Sequence, residues 1–417
     1  MIVHEQKRVL ASPLTGVFSG KELIDWMIEH LTIPNRGRED LTELVNKELL
    51  NPASAFQLIY PVNVGEPFID NKNNFYRFIE DQYKEFKKDN TILNLHGIET
   101  SKFRFFYEKG DEKNKEDNIF DKVEDFFPYF RDKLGEIYKE IMLDDAFTID
   151  YKTFTESENF DLKLTPLVAQ LAYLDLTALI GNDDLTKAFF INVYNILHIH
   201  AICARYFIQK DFDIGMIERI DLYSKYKYNI GGHLYTLHDI EHGILRKNNN
   251  QGGNAVSTVA TYVFGAKGKN TRFKETDPRY KYVAANIDPR IHFATHCAAL
   301  DSPALRVYDL EAINFQLELV AKEFCSLGKN ISISENKGKY ILELSELFKF
   351  YRAEFGPTDK EIINYVLQYI QDPDEKKVIQ TQAEKGNLTV KFRAFDWTVN
   401  DKKEPKPVSE DEDEEEE

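Results

Sequence analysis

A run of apolar residues from Ala188 to about Phe207 constrains this chain more than any other feature. Ala188-Phe189-Phe190-Ile191-Asn192-Val193-Tyr194-Asn195-Ile196-Leu197 opens it, and a helix built from these residues is greasy on every side. Such a helix has no solvated face, so it is buried. Asn192 and Asn195 are three apart and share one face of it. A carboxamide buried without a partner costs roughly 1–3 kcal/mol, so both need partners waiting. They either bond neighbouring loop backbone and lock the fold, or line a polar site.

The chain around this helix has 417 residues, which suits two or three domains better than one. Its 53 basic and 70 acidic residues leave a net charge of −17, and the unbroken acidic run Glu410–Glu417 holds −8 of it. Eight like charges in a row repel one another and bury nothing, so residues 401–417 read as a disordered acidic tail. A balance this acidic argues against nucleic acid as a partner, because phosphate neutralisation needs clustered Lys and Arg. Cys203, Cys297 and Cys325 are odd in number and form no CxxC pair, which fits reduced thiols in a cytosolic or nuclear compartment. The first residues lack an apolar signal core. The best membrane-span candidate, Leu164–Ile180, is interrupted by Thr165, Pro166, Gln170, Asp175 and Thr177 and reads as a buried helix.

The pattern is α+β and multidomain. In residues 1–80, Ser19 can cap a helix with apolar positions Leu23, Ile24, Met27, Ile28 and Leu31. A second periodic stretch runs through Leu41, Leu44, Val45, Leu49 and Leu50, and short strand-like pieces end at Phe75–Phe78. Helices followed by a β-hairpin suggest a winged-helix module. Residues 81–122 read as a charged linker, clearest at Gly110–Asn118. Residues 123–400 read as a larger, helix-rich α/β domain with its core motifs in 180–325. There Gly231-Gly232 signals a two-residue hairpin. Thr236-Leu237-His238-Asp239 is a capping-box pattern opening a helix through Arg246. The glycine-bearing stretch Gly252–Tyr280 reads as a flap or an insertion.

The chemistry-bearing candidates cluster in this domain. Cys297, with His292 or His242 as base and Asn192, Asp239 or Glu241 as orienter, has the makings of a thiol nucleophile. The bland alternative is an inert thiol among Phe293, Ala294, Ala298, Ala299 and Leu300. Glu241, Arg246 and Arg290 can form a buried ion-pair core that fixes loops without chemistry. His238/His242 and His292/His296 are each four apart, which raises zinc, but no Glu follows His238 as an HExxH motif requires. No metal and no cofactor is assigned. Asn192, Asn195, Arg246 and Arg290 are the candidate binding residues.

Two resemblances add to this reading. Gly16-Val17-Phe18-Ser19-Gly20-Lys21-Glu22-Leu23-Ile24-Asp25-Trp26-Met27, with the closing Phe68-Ile69-Asp70 and Phe75-Tyr76-Arg77-Phe78, is similar to the two ends of DEP domains. That resemblance implies a non-catalytic adaptor in intracellular signalling, recruited to a protein partner or to membrane. Residues 1–80 carry eight basic and eleven acidic side chains, so weak contact with an anionic membrane would need a local patch such as Lys7, Arg8, Arg36 and Arg38. A protein partner through residues 1–80 is the expectation. Phe189–Asn195, Asp239–Arg246 and Arg290–Ala299 resemble, in order, the motifs of the family called domain of unknown function 547. Leu344–Tyr351 and Phe395–Asn400 look like its downstream elements, and Ser302 stands where that family usually has a second cysteine. The combined expectation is a cytoplasmic signalling adaptor or scaffold, recruited by its first module. The alternative is a cysteine-dependent hydrolase or acyltransferase with Cys297 as nucleophile, and enzymatic activity is left open between them.

Overall fold

Ser19 does what its place in the sequence requires. Its hydroxyl accepts from Glu22 N at 3.2 Å, while its own N–H donates to Glu22 Oε2 at 2.7 Å, a reciprocal cap on the helix Gly20–His30. The computed structural model describes residues 4–6, 14–30, 37–46, 59–61, 68–73, 75–78, 91–94, 120–208, 214–249 and 273–402. The Gly110–Asn118 stretch, residues 252–272 of the glycine-bearing segment and residues 403–417 lie outside them.

In the N-terminal unit Leu23, Ile24 and Met27 bury one face of that helix against Phe18, Leu41, Val45, Phe68 and Tyr76. Ile28, expected on the same stripe, is half exposed at 50%. A second helix, Arg38–Leu44, follows. Strands β1 (His4–Gln6), β2 (Leu14–Ser19), β3 (Ile59–Pro61) and β4 (Phe75–Phe78) form one antiparallel sheet in the order β1-β2-β4-β3. The helices and the β3–β4 pair follow the expected order, whereas β1 and β2 were not legible in the sequence. Arg38 is tied to both Asp70 oxygens at 2.7 Å and to Asp25 Oδ1 at 2.5 Å, so its charge is already matched. Lys7, Arg8 and Arg36, the rest of the basic patch considered for membrane contact, lie outside the described residues.

The large unit is organised around the helix Asp183–Ile208, whose side chains from Ala188 to Cys203 are buried all round. The helix Val123–Ile141 lays Phe127 and Phe130 against Phe189. Leu164–Ile180 is not one helix. It breaks into Thr165–Ala169, a 3-10 turn at Gln170–Tyr173 and another at Thr177–Leu179, where Asp175 accepts from Thr177 N at 2.9 Å. Thr165 and Pro166 open the α-helix, and the helix gives way to the 3-10 turn at Gln170. No described helix is long and apolar enough to cross a membrane.

β5 (Lys227–Ile230) and β6 (His233–Thr236) form the expected hairpin, with Ile230 opposite His233. Gly231 and Gly232 both take positive φ, 55° and 83°, as the tight mirror-image turn demands. Thr91–Asn94, within the stretch read as a linker, are built into this unit. Ile92 bridges Lys227, and the Asn94 carboxamide bonds both N and O of Asn229 at 2.8 Å. A second sheet joins β7 (Ile331–Asn336), β8 (Lys339–Ser345) and β9 (Leu388–Arg393), antiparallel and then parallel. Beyond β8 two short helices, Leu347–Phe350 and Arg352–Phe355, carry Tyr351 and Glu354 back towards the central helix.

Candidate functional site

The helix opened by Thr236 is capped as expected: Asp239 N donates to Thr236 Oγ1 at 3.0 Å and Thr236 N to Asp239 Oδ2 at 3.1 Å. Its continuation is not an α-helix. Asp239–Leu245 winds as a π-helix, a wider turn that recurs at functional sites, with Arg246 N bonding Glu241 O at 2.9 Å. Glu241, His242 and Arg246 all face inwards and are buried.

There they meet side chains from three other elements. Arg246 gives Nε and Nη2 to Glu354 Oε1 at 2.8 and 2.5 Å and bonds His242 Nδ1 through Nη1. Glu354 Oε2 takes the His292 Nε2 proton at 2.7 Å. Tyr351 stacks on the His292 ring, centroids 3.5 Å apart, lies under the Arg246 guanidinium, and donates its hydroxyl to Glu241 Oε1 at 2.5 Å. Tyr194, on the central helix, donates to Glu241 Oε2 at 3.3 Å. Burial, then the nearby His238 and Arg246, pushes the His242 imidazole well below its ordinary range. Burial likewise lowers His292 against the pull of Glu354. For Glu354, burial acts to raise the carboxyl, but the bonds from His292 and Arg246 hold it below the usual range. At neutral pH the arrangement is therefore two neutral imidazoles and an ionised Glu354 around one guanidinium. Arg246 can donate only to a lone pair on His242 Nδ1, which puts that ring's proton on Nε2. Among the described residues, His242 Nε2 and His292 Nδ1 have no hydrogen-bond partner.

The asparagines act as backbone clamps. Asn192 gives Nδ2 to Tyr308 O at 2.7 Å and accepts from Tyr308 N at 2.9 Å. Asn195 gives Nδ2 to Ala294 O at 3.0 Å and accepts from His296 N at 2.8 Å. Cys297 is buried, and its Sγ lies 3.0 Å from Ser302 Oγ. That hydroxyl also accepts from Cys297 N at 3.1 Å and Ala299 N at 2.9 Å, closing a turn in which Ala298 takes φ 49°. Residues 181–325 match the family model described as protein of unknown function, DUF547. The match coincides with the three motif blocks, while Tyr351 and Glu354 lie beyond it. No DEP-family match accompanies it over residues 1–80. No curated protein and no solved structure matches the chain.

Within the DUF547 region the candidate residues divide into two groups. Glu241, His242, Arg246 and His292 converge on one network. Cys297 does not pair with an imidazole: its hydrogen-bond partner is Ser302, and burial pushes its thiol up to about 11, with the Ser302 bond offsetting part of the rise. The thiol–imidazole pair weighed against the inert thiol is therefore not formed; His292 bonds Glu354 through Nε2. Arg290 lies outside the network, bonding Asp288 at 2.9 and 2.8 Å and Asn314. His296 donates Nδ1–H to Pro303 O at 2.9 Å and accepts at Nε2 from Asn400 Nδ2 at 3.2 Å, so it does not join His292 as a ligand pair. Among the described residues no group of three or more His, Cys, Asp or Glu could hold a metal.

Sequence reasoning missed Glu354, Tyr194, Tyr351 and the fully buried Arg219. The only signal for Glu354 was its helical spacing of three from Tyr351, at the end of an element already linked to the family. Arg219 bonds Cys297 O at 3.4 Å and the Trp397 carbonyl, pinning the Cys297 turn to the C-terminal segment.

Proposed function

We propose that this chain is an intracellular signalling adaptor: residues 1–80 recruit it through a protein partner, and the large domain is a scaffold rather than a cysteine enzyme. The observation that carries the reading is the use of the motif side chains. Asn192 and Asn195 bond backbone at both ends of their carboxamides, and the Cys297 thiol is held by Ser302, whose hydroxyl also accepts from Cys297 N and Ala299 N. A thiol at about 11 is ionised in roughly one molecule in 10⁴ at pH 7, too little for an unassisted nucleophile. The N-terminal resemblance to DEP domains supports recruitment, and the capped helix with its antiparallel sheet is compatible with such a module.

Deleting residues 1–80 is expected to disperse the protein in cells while leaving 123–400 folded; unchanged localisation would remove the recruitment claim. The rival reading, acyl transfer by Cys297, rests on the open Nδ1 of His292, whose other nitrogen Glu354 holds as an orienting carboxylate would. Iodoacetamide at neutral pH separates the two. The scaffold leaves Cys297 unlabelled in the folded chain. Selective labelling that disappears in His292→Ala would favour the enzyme.

A further inference from the structure

The π-helical turn Asp239–Leu245 runs into two non-glycine residues in the left-handed region, Lys247 and Asn248, each at φ 54°. A π-helical turn is rare, and left-handed backbone is costly for any residue with a Cβ. Such backbone persists only where its surroundings hold it. The Asn248 carboxamide holds the far end, bonding Phe273 N and O at 2.9 Å. The turn itself is held by the buried network, and one bond there depends on a single proton.

That bond runs from Arg246 Nη1 to His242 Nδ1. A guanidinium has only donors, so the bond exists while Nδ1 keeps its lone pair. A proton on Nδ1 replaces it with contact between two cations. The groups packed round the ring offer the new charge little relief. On the same turn, the His238 ring lies 4.5 Å away between centroids. Glu241 Oε1 is 3.7 Å from Nε2, beyond hydrogen-bond reach, and already accepts the Tyr351 hydroxyl. The central helix brings Tyr194, a phenol that bonds Glu241. The 3-10 turn Pro289–Phe293 brings His292, whose Nε2 is committed to Glu354 Oε2, while Glu354 Oε1 is engaged by Arg246. Burial, then His238 and Arg246, depresses the His242 imidazole, and burial lowers His238 as well.

We propose that Asp239–Arg246 is an acid-released latch, locked at neutral pH by the Arg246–His242 bond and freed when His242 takes a proton. A histidine with a depressed folded pKa stabilises the closed form fully above its unfolded value, near 6.5, and progressively less as pH falls below it. Each imidazole that charges on opening raises the open population about tenfold between pH 7.5 and 5.5. Release parts Arg246 from Glu354 and Glu241 from Tyr351 while the central helix stays packed. The latch does not depend on the adaptor reading or on Cys297.

Hydrogen–deuterium exchange of the full chain at pH 7.5 and 5.5, corrected for the intrinsic effect of pH on exchange, tests it. Amides of residues 239–246 are expected to be less protected than those of the helix Asp183–Ile208 at both pH values, and to lose about tenfold or more of their protection at pH 5.5. His242→Asn keeps an acceptor oxygen near the place of Nδ1 and cannot take the proton, so its segment should lose about tenfold less than wild type. Imidazole ¹⁵N spectra of the wild type need no variant: at pH 7.5 His242 should be neutral with its proton on Nε2. The latch is overturned if that proton sits on Nδ1, or if the segment is as protected as the central helix and so opens only with the whole chain. A loss of protection below about threefold, or an equal loss in His242→Asn, also overturns it.

Discussion

Replacing Asn192 by aspartate changes one nitrogen to oxygen at a site with no exposure to solvent. The retained oxygen still accepts from Tyr308 N. The new one faces Tyr308 O, to which the native amide donates at 2.7 Å, and can bond it only when protonated. The folded state therefore holds the new carboxyl neutral, raising its pKa above the unfolded value of about 3.9. A group raised in this way leaves the fold intact below the unfolded pKa and costs stability as pH climbs towards the folded one. If the folded value reaches 7, about three units at 1.36 kcal/mol each remove roughly 4 kcal/mol at pH 7 and almost nothing at pH 4. Asn192→Ala is the control. It leaves the Tyr308 N–H and C=O buried without partners, which costs roughly 2–6 kcal/mol at either pH. Urea midpoints of wild type and both variants at pH 4.5 and 7.5 supply the comparison. A deficit in Asn192→Asp that does not grow with pH, or that stays below about 1 kcal/mol at pH 7.5, would refute the clamp.

Other outcomes follow from the same geometry. Burial lowers His296 to about 4, so its folded state refuses a proton that the unfolded chain accepts near 6.5. Its stability contribution is complete above pH 6.5 and is lost as pH falls towards 4, roughly 3 kcal/mol in all; a pH series of melting temperatures should flatten in His296→Gln. A Cβ on Gly243 would sit 2.6–2.7 Å from the Phe273 ring, so Gly243→Ala should cost about 1–3 kcal/mol, and unchanged thermal unfolding would contradict that contact. Ser302→Ala leaves Cys297 N and Ala299 N without their shared acceptor and should destabilise by roughly 2 kcal/mol or more while speeding iodoacetamide labelling of Cys297. Labelling no faster than wild type would show that the turn does not depend on that hydroxyl.

Local chemistry was legible where it is sufficient by itself. The all-round apolar run Ala188–Phe207 announced a buried helix, Gly231-Gly232 announced a hairpin, and Ser19 and Thr236 announced caps, because each is decided by residues within a few positions of one another. The carboxamides of Asn192 and Asn195 were legible as groups needing partners. Which partners they have was not: Tyr308 stands 116 residues from Asn192, and His296 stands 101 from Asn195. The same limit hid Glu354, which reaches Arg246 across 108 residues and bonds His292 Nε2. It also hid the π-helical winding of Asp239–Leu245, where the capping residues read as an ordinary α-helix. Sequence by itself determined what must be buried and where the chain must turn. Tertiary structure decided which buried donor meets which acceptor, because a desolvated polar group is satisfied by whatever packing brings within about 3 Å, however far away in the chain that partner lies.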